Sequence, residues 1–122
     1  MDIKQCYEKM GGDYADVSKR LPLEKTVERF IALFLEDKSF ETLKGSIAAG
    51  DRAAAFSAAH TLKGVSGNVG LTALYEASSA LTEALRKPGE GVSESEKSLF
   101  EEVGKKYAVT ESAIREYFAD KN

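Results

Sequence analysis

Ala58-Ala59-His60-Thr61-Leu62-Lys63-Gly64-Val65-Ser66-Gly67-Asn68-Val69-Gly70-Leu71 is the stretch on which the reading of this chain turns. Its apolar side chains recur at helical spacing. At about 100° per residue, Leu62, Val65 and Val69 point one way, with Ala55 and Ala58 between them. His60, the single histidine of the chain, points the other way. Lys63, Gly64 and Gly67 follow it at i+3, i+4 and i+7 and share its face. The spacing predicts a helix that carries an imidazole away from the core, with a cation and two glycines beside it.

The glycines are informative because each costs roughly 1 kcal/mol relative to alanine inside a helix. A helix gains nothing from the pair, and both fall on the histidine's side. Without side chains they leave a flat shelf where another molecule's backbone, or a phosphoryl group, can come close. For Gly67 the competing explanation is a fraying helix end ahead of Gly70.

Ala59-His60-Thr61-Leu62-Lys63-Gly64, followed by Gly67 and by Gly70-Leu71, resembles the signature of histidine-containing phosphotransfer (HPt) domains. The pattern is a small residue, histidine, any residue, an aliphatic residue, lysine and glycine, then glycines three and six positions on. The resemblance extends from about Leu23 to the C-terminus. It implies a four-helix bundle with His60 exposed midway along one helix and phosphorylated on Nε2. It also implies that Lys63 steadies the phosphoryl oxygens while Gly64 and Gly67 allow close approach. The partner would be the receiver domain of a response regulator, which would supply an aspartate and the magnesium ion. A hybrid sensor histidine kinase is a further candidate partner. This chain itself is expected to bind no cofactor.

At 122 residues the chain is expected to be one domain. Hydrophobic residues at 43% and charged residues at 30% suit a soluble globular protein. Seventeen basic and twenty acidic residues leave a net charge of -3, with no basic cluster, which argues against nucleic acid. No apolar run approaches membrane length and no charged-then-apolar leader opens the chain. A cytoplasmic protein that contacts no membrane is expected. The single Cys6 cannot form an internal disulfide and reads as a small apolar residue on a helix.

Taken in order, Ile3, Cys6, Tyr7 and Met10 mark a short amphipathic helix stopped by Gly11-Gly12. Asp13 caps a second, carrying Tyr14, Val17 and Leu21 and ending at Pro22. Residues 1–22 therefore read as a helical extension packed on a bundle formed by residues 23–122. Leu23, Val27, Phe30, Ile31 and Phe34 form a helical stripe, and Phe40, Leu43 and Ile47 continue it after a break at 37–39. The pattern fits one bent helix or two. Gly50-Asp51 is a helix stop followed by a cap. The central helix runs from about Arg52 to Asn68, and the next carries Leu71, Leu74, Ser78, Leu81 and Leu85 as far as Pro88-Gly89. Ser93 and Glu96 form a capping box for a last helix bearing Leu99, Phe100, Val103, Tyr107, Thr110, Ile114, Tyr117 and Phe118. Amphipathic helices joined by short loops predict an all-α, up-and-down antiparallel four-helix bundle with additional short N-terminal helices.

Around His60, Ser57, Thr61 and Asn68 are candidates to donate hydrogen bonds at the rim. Phe56 lies one turn before His60 on roughly its face. It is either covered by a neighbouring helix or forms an apolar docking patch. Other chemistries fit less well. An inert bundle does not explain the lysine and paired glycines. A general base normally needs a carboxylate or carbonyl to orient its imidazole, and the positions one turn either side are Phe56, Ser57, Lys63 and Gly64. A metal site needs several ligands, so none is expected from one histidine and a distant cysteine. No phosphate-binding GxxxxGK[ST] loop is present, so the chain is expected to be a carrier rather than an enzyme. An adaptor that binds receivers without taking phosphate is the alternative.

Overall fold

The computed structural model describes residues 1–121 and contains seven helices among them, with no strand. They are α1 (Ile3–Lys9), α2 (Tyr14–Arg20), α3 (Glu24–Phe34), α4 (Ser39–Ala49), α5 (Arg52–Asn68), α6 (Thr72–Arg86) and α7 (Glu94–Asp120). Asn122, the last residue of the expected 23–122 unit, lies outside the described residues.

Side-chain caps begin four of these helices, each satisfying an otherwise orphaned N–H. Asp2 and Ser93 complete capping boxes with Gln5 and Glu96. Asp13 accepts from Asp16 N–H, and Asp51 from Ala54 N–H. Gly50 ends α4 in the left-handed conformation, φ 67°, which an L side chain adopts only with strain.

Short connections make α4, α5, α6 and α7 successive antiparallel neighbours. Helix α5 packs between α4 and α6, and α7 lies against α6 and α4. The stretch from 23 to 49 is two helices, not one, and both run antiparallel to α7. Tyr117 donates to Glu28 at 2.6 Å, Phe34 meets Tyr107, and Phe40 stacks on Tyr107 and Phe100. The core is continuous through Val27, Ile31, Leu43, Ala55, Leu62, Leu74, Leu81, Val103 and Ile114. Burying such side chains contributes roughly 1.5–3 kcal/mol each before the entropy of ordering is subtracted.

One expectation fails on α3. Val27, Ile31 and Phe34 are buried, but Leu23 at its N-cap is 69% and Phe30 40% exposed; Leu33, outside the expected stripe, is 51% exposed. The stripe expected from the spacing is wider than the strip that α7 covers. The extra apolar residues stand at its edge, in solvent.

The N-terminal helices share the core. Cys6, Tyr7, Met10 and Val17 are buried in it. The turn after α1 is sewn to the turn between α5 and α6 by three hydrogen bonds. Tyr7 Oη donates to the Val69 carbonyl at 2.7 Å, Asp13 N–H to Gly70 O at 2.9 Å, and Ala73 N–H to Gly11 O at 3.1 Å. The two backbones can approach this closely because Gly12 has no Cβ, which would lie 2.7 Å from Gly70 O. This seam places α2 beside the C-terminal end of α5.

Candidate functional site

His60 is exposed on α5, while Ala58, Ala59 and Leu62 beside it are buried. The apolar stripe of the helix faces the core, so the imidazole is left on the opposite side, as the periodicity requires. Lys63, Gly64, Gly67 and Asn68 line the same cavity as His60, about 640 Å³ in volume. Helix α6 contributes Thr72 and Tyr75 to its wall, and α2 contributes Asp16 and Arg20, with its cap Asp13.

The two glycines do not have the same surroundings. A Cβ on Gly64 would meet nothing within 4 Å, so that position is open. A Cβ on Gly67 would lie 2.8 Å from Cδ1 of Tyr75. The two positions of the expected shelf therefore differ. Gly64 is bare, whereas Gly67 is occupied by the Tyr75 ring, which itself is 37% exposed and presents an aromatic surface to the cavity. Gly67 is the penultimate residue of α5, and its carbonyl accepts the Gly70 N–H at 3.2 Å.

Phe56 stacks on His60 with ring centroids 6.0 Å apart and planes inclined by 10°. From α6, the Arg86 guanidinium lies 5.1 Å from its ring centroid. It is half-buried, intermediate between the two expectations for it. Ser57 and Thr61 do not join the site. They line a separate hollow with Asp37, Lys38 and Thr42, and the Thr61 hydroxyl donates back to Ser57 O at 3.0 Å. The 100° step explains this, since the residues three before and one after His60 share a side of α5 that turns towards α4.

Two further groups come from elements other than α5. Glu83 on α6 has its carboxyl held below the usual range, first by hydrogen bonds from Arg86, with Lys63 and His60 adding favourable charge. An acidic side chain thus shares the field of the imidazole, although none lies one turn away on α5. Arg20 at the end of α2 pairs with Asp16 at 2.8 Å, and its other terminal nitrogen reaches Gly67 O and Asn68 O at 3.4 Å each. No sequence signal links residue 20 to residue 60, because the seam at Gly12 and Gly70 creates that proximity.

No cluster of three or more His, Cys, Asp or Glu side chains able to hold a metal ion occurs among the described residues. None of the described helices is long and apolar enough to cross a membrane.

The Hpt domain family matches residues 27–116, from α3 to near the end of α7. The chain belongs to that family. Hpt domains are phosphotransfer carriers of two-component systems and work with receiver domains of response regulators in general. No curated protein and no solved structure matches the chain.

Proposed function

We propose that His60 accepts a phosphoryl group from an aspartyl phosphate of a receiver domain and returns it to such an aspartate. The observation that carries this reading is the exposed imidazole in a cavity that also holds Lys63 and the bare Gly64. A neutral imidazole is a nucleophile near neutral pH. The Nε2 lone pair forms the P–N bond in line as the P–O bond to the aspartate breaks. The electron pair leaves with the restored carboxylate, and the Nδ1 proton stays on the ring. Phosphoryl transfer of this kind depends on positioning and charge stabilisation. The Lys63 ammonium offers charge-assisted hydrogen bonds to the phosphoryl oxygens. Magnesium belongs to the receiver in this scheme, and the chain hydrolyses no nucleotide.

Incubation with a phosphorylated receiver should label His60, with a label lost in acid and stable in alkali. His60→Gln should take none, and label persisting in that variant would overturn the assignment. Lys63→Ala should slow transfer by roughly 10–100-fold, the worth of one charge-assisted contact to a phosphoryl group. A receiver-binding adaptor predicts complex formation with no label at all.

A further inference from the structure

The cavity is longer than the phosphoacceptor needs. Its far end is formed by Arg20, which touches the carbonyls of Gly67 and Asn68. Those carbonyls lie seven and eight residues beyond His60, about 10–12 Å along the helix at the usual rise. A phosphoryl group on the imidazole does not span that distance. Between the two ends lie the open Gly64 and the exposed ring of Tyr75. The cavity therefore has the His60 imidazole and the Lys63 ammonium at one end, an aromatic middle, and a guanidinium at the other end.

Resting on the reading of His60 as phosphoacceptor, we propose that Arg20 is a specificity-determining contact for the receiver domain. Helix α2, outside the family-matched residues 27–116, thereby becomes part of the docking site. Arg20 does not touch the migrating phosphoryl group. Its guanidinium takes a carboxylate or a backbone carbonyl on the receiver surface, about 10 Å from the phosphoaspartate. The guanidinium has five N–H donors. Here one terminal nitrogen is held by Asp16 and the other makes only long contacts of 3.4 Å, so donors remain for a visitor. The other charged groups at this end are already engaged. Asp13 accepts the Asp16 N–H as the cap of α2, and Asp16 restrains Arg20. An aromatic patch bordered by charged side chains suits a partner that must dock in one orientation and leave again.

The test is single-turnover transfer to the full chain from the phosphorylated receiver that transfers fastest, at increasing receiver concentration. Loading of His60 by phosphoramidate, which needs no docking, runs in parallel. Arg20→Ala should raise the half-saturating receiver concentration by about 5–10-fold, leave the maximal rate within about twofold, and leave phosphoramidate loading unchanged. Arg20→Lys should recover part of the loss and Arg20→Glu should exceed it. Asp16→Asn should leave docking unchanged or tighten it, because it releases the guanidinium. A merely structural Asp16–Arg20 pair predicts instead that Asp16→Asn and Arg20→Ala weaken docking alike, and that result overturns the proposal. Equal half-saturation for Arg20→Ala and the unmodified chain overturns it too, as does an equal fall in phosphoramidate loading. If the unmodified chain takes label neither from phosphoramidate nor from any receiver, the phosphoacceptor reading fails and this inference fails with it. Normal labelling with an inert Arg20 removes the inference alone.

Discussion

A methyl group added at Gly64 meets no atom within 4 Å, whereas one added at Gly67 would lie 2.8 Å from the Tyr75 ring. The difference separates two effects that look identical in the sequence. Gly64→Leu should fold with unchanged or slightly raised stability, since alanine-like residues favour helices over glycine by roughly 1 kcal/mol. It should transfer phosphate poorly, because the side chain fills the approach to His60. Equal transfer rates would remove the steric argument. Gly67→Ala should behave differently. In a Tyr75→Ala background it should stabilise by about 0.5–1 kcal/mol, the helix-propensity gain. With Tyr75 present the clash should cancel or reverse that gain. Denaturant unfolding of the four proteins measures the coupling, and strictly additive effects would show that the ring moves aside freely.

Among the elements, the beginning of α5 is tied to the beginning of α7 by one side chain. Arg52 donates from both terminal nitrogens to the Glu96 carboxylate at 2.8 and 2.9 Å. It donates further to the carbonyls of Ala84, Lys87 and Gly91. The guanidinium thus holds the end of α6, the following loop and the capping box of α7 in one place. Glu96 is only 7% exposed, so removing Arg52 leaves a buried carboxylate uncompensated. Arg52→Ala should lower the thermal midpoint by on the order of 10 °C. The pH dependence has a definite sign. Arg52, then the Ser93 backbone and hydroxyl, hold the Glu96 carboxyl down to about 2, from a usual 4.5, against the opposing effect of burial. A depressed acid contributes stability above its unfolded value and loses it as pH falls through the folded value. The contribution of Glu96 should therefore be complete above about pH 4.5 and disappear towards pH 2. Thermal melts of Glu96→Gln and the unmodified chain should converge over that window, and a constant gap would contradict the assignment.

In the molecule as a whole, residues 1–22 belong to the same core as the bundle, so opening them is expected to require global unfolding. Cys6 reports on this. It is fully buried, its Sγ lies 3.6 Å from Ala113 O of α7, and burial, followed by the nearby Glu116 charge, pushes its thiol up to about 11. Alkylation at pH 8 should be slower than for an exposed cysteine by at least about 1,000-fold, and its rate should follow the global opening equilibrium as denaturant is added. Fast labelling of the folded chain would show that α1 detaches independently.

Local chemistry by itself determined the helices, their caps and the face on which His60 stands. Asp13, Asp51 and Ser93 act on N–H groups three residues away, and the apolar spacing around Leu62 acts within one or two turns. Such short-range interactions are written in consecutive residues. The side chains that complete the cavity were decided only by tertiary packing. Tyr75 covers Gly67 because α6 folds back along α5, and Arg20 reaches the end of α5 because Gly12 and Gly70 let two turns meet. The exposure of Leu23 and Phe30 follows from how much of α3 the neighbouring helix can cover. Periodicity says which way a side chain points, but only the packed neighbours decide what stands opposite it.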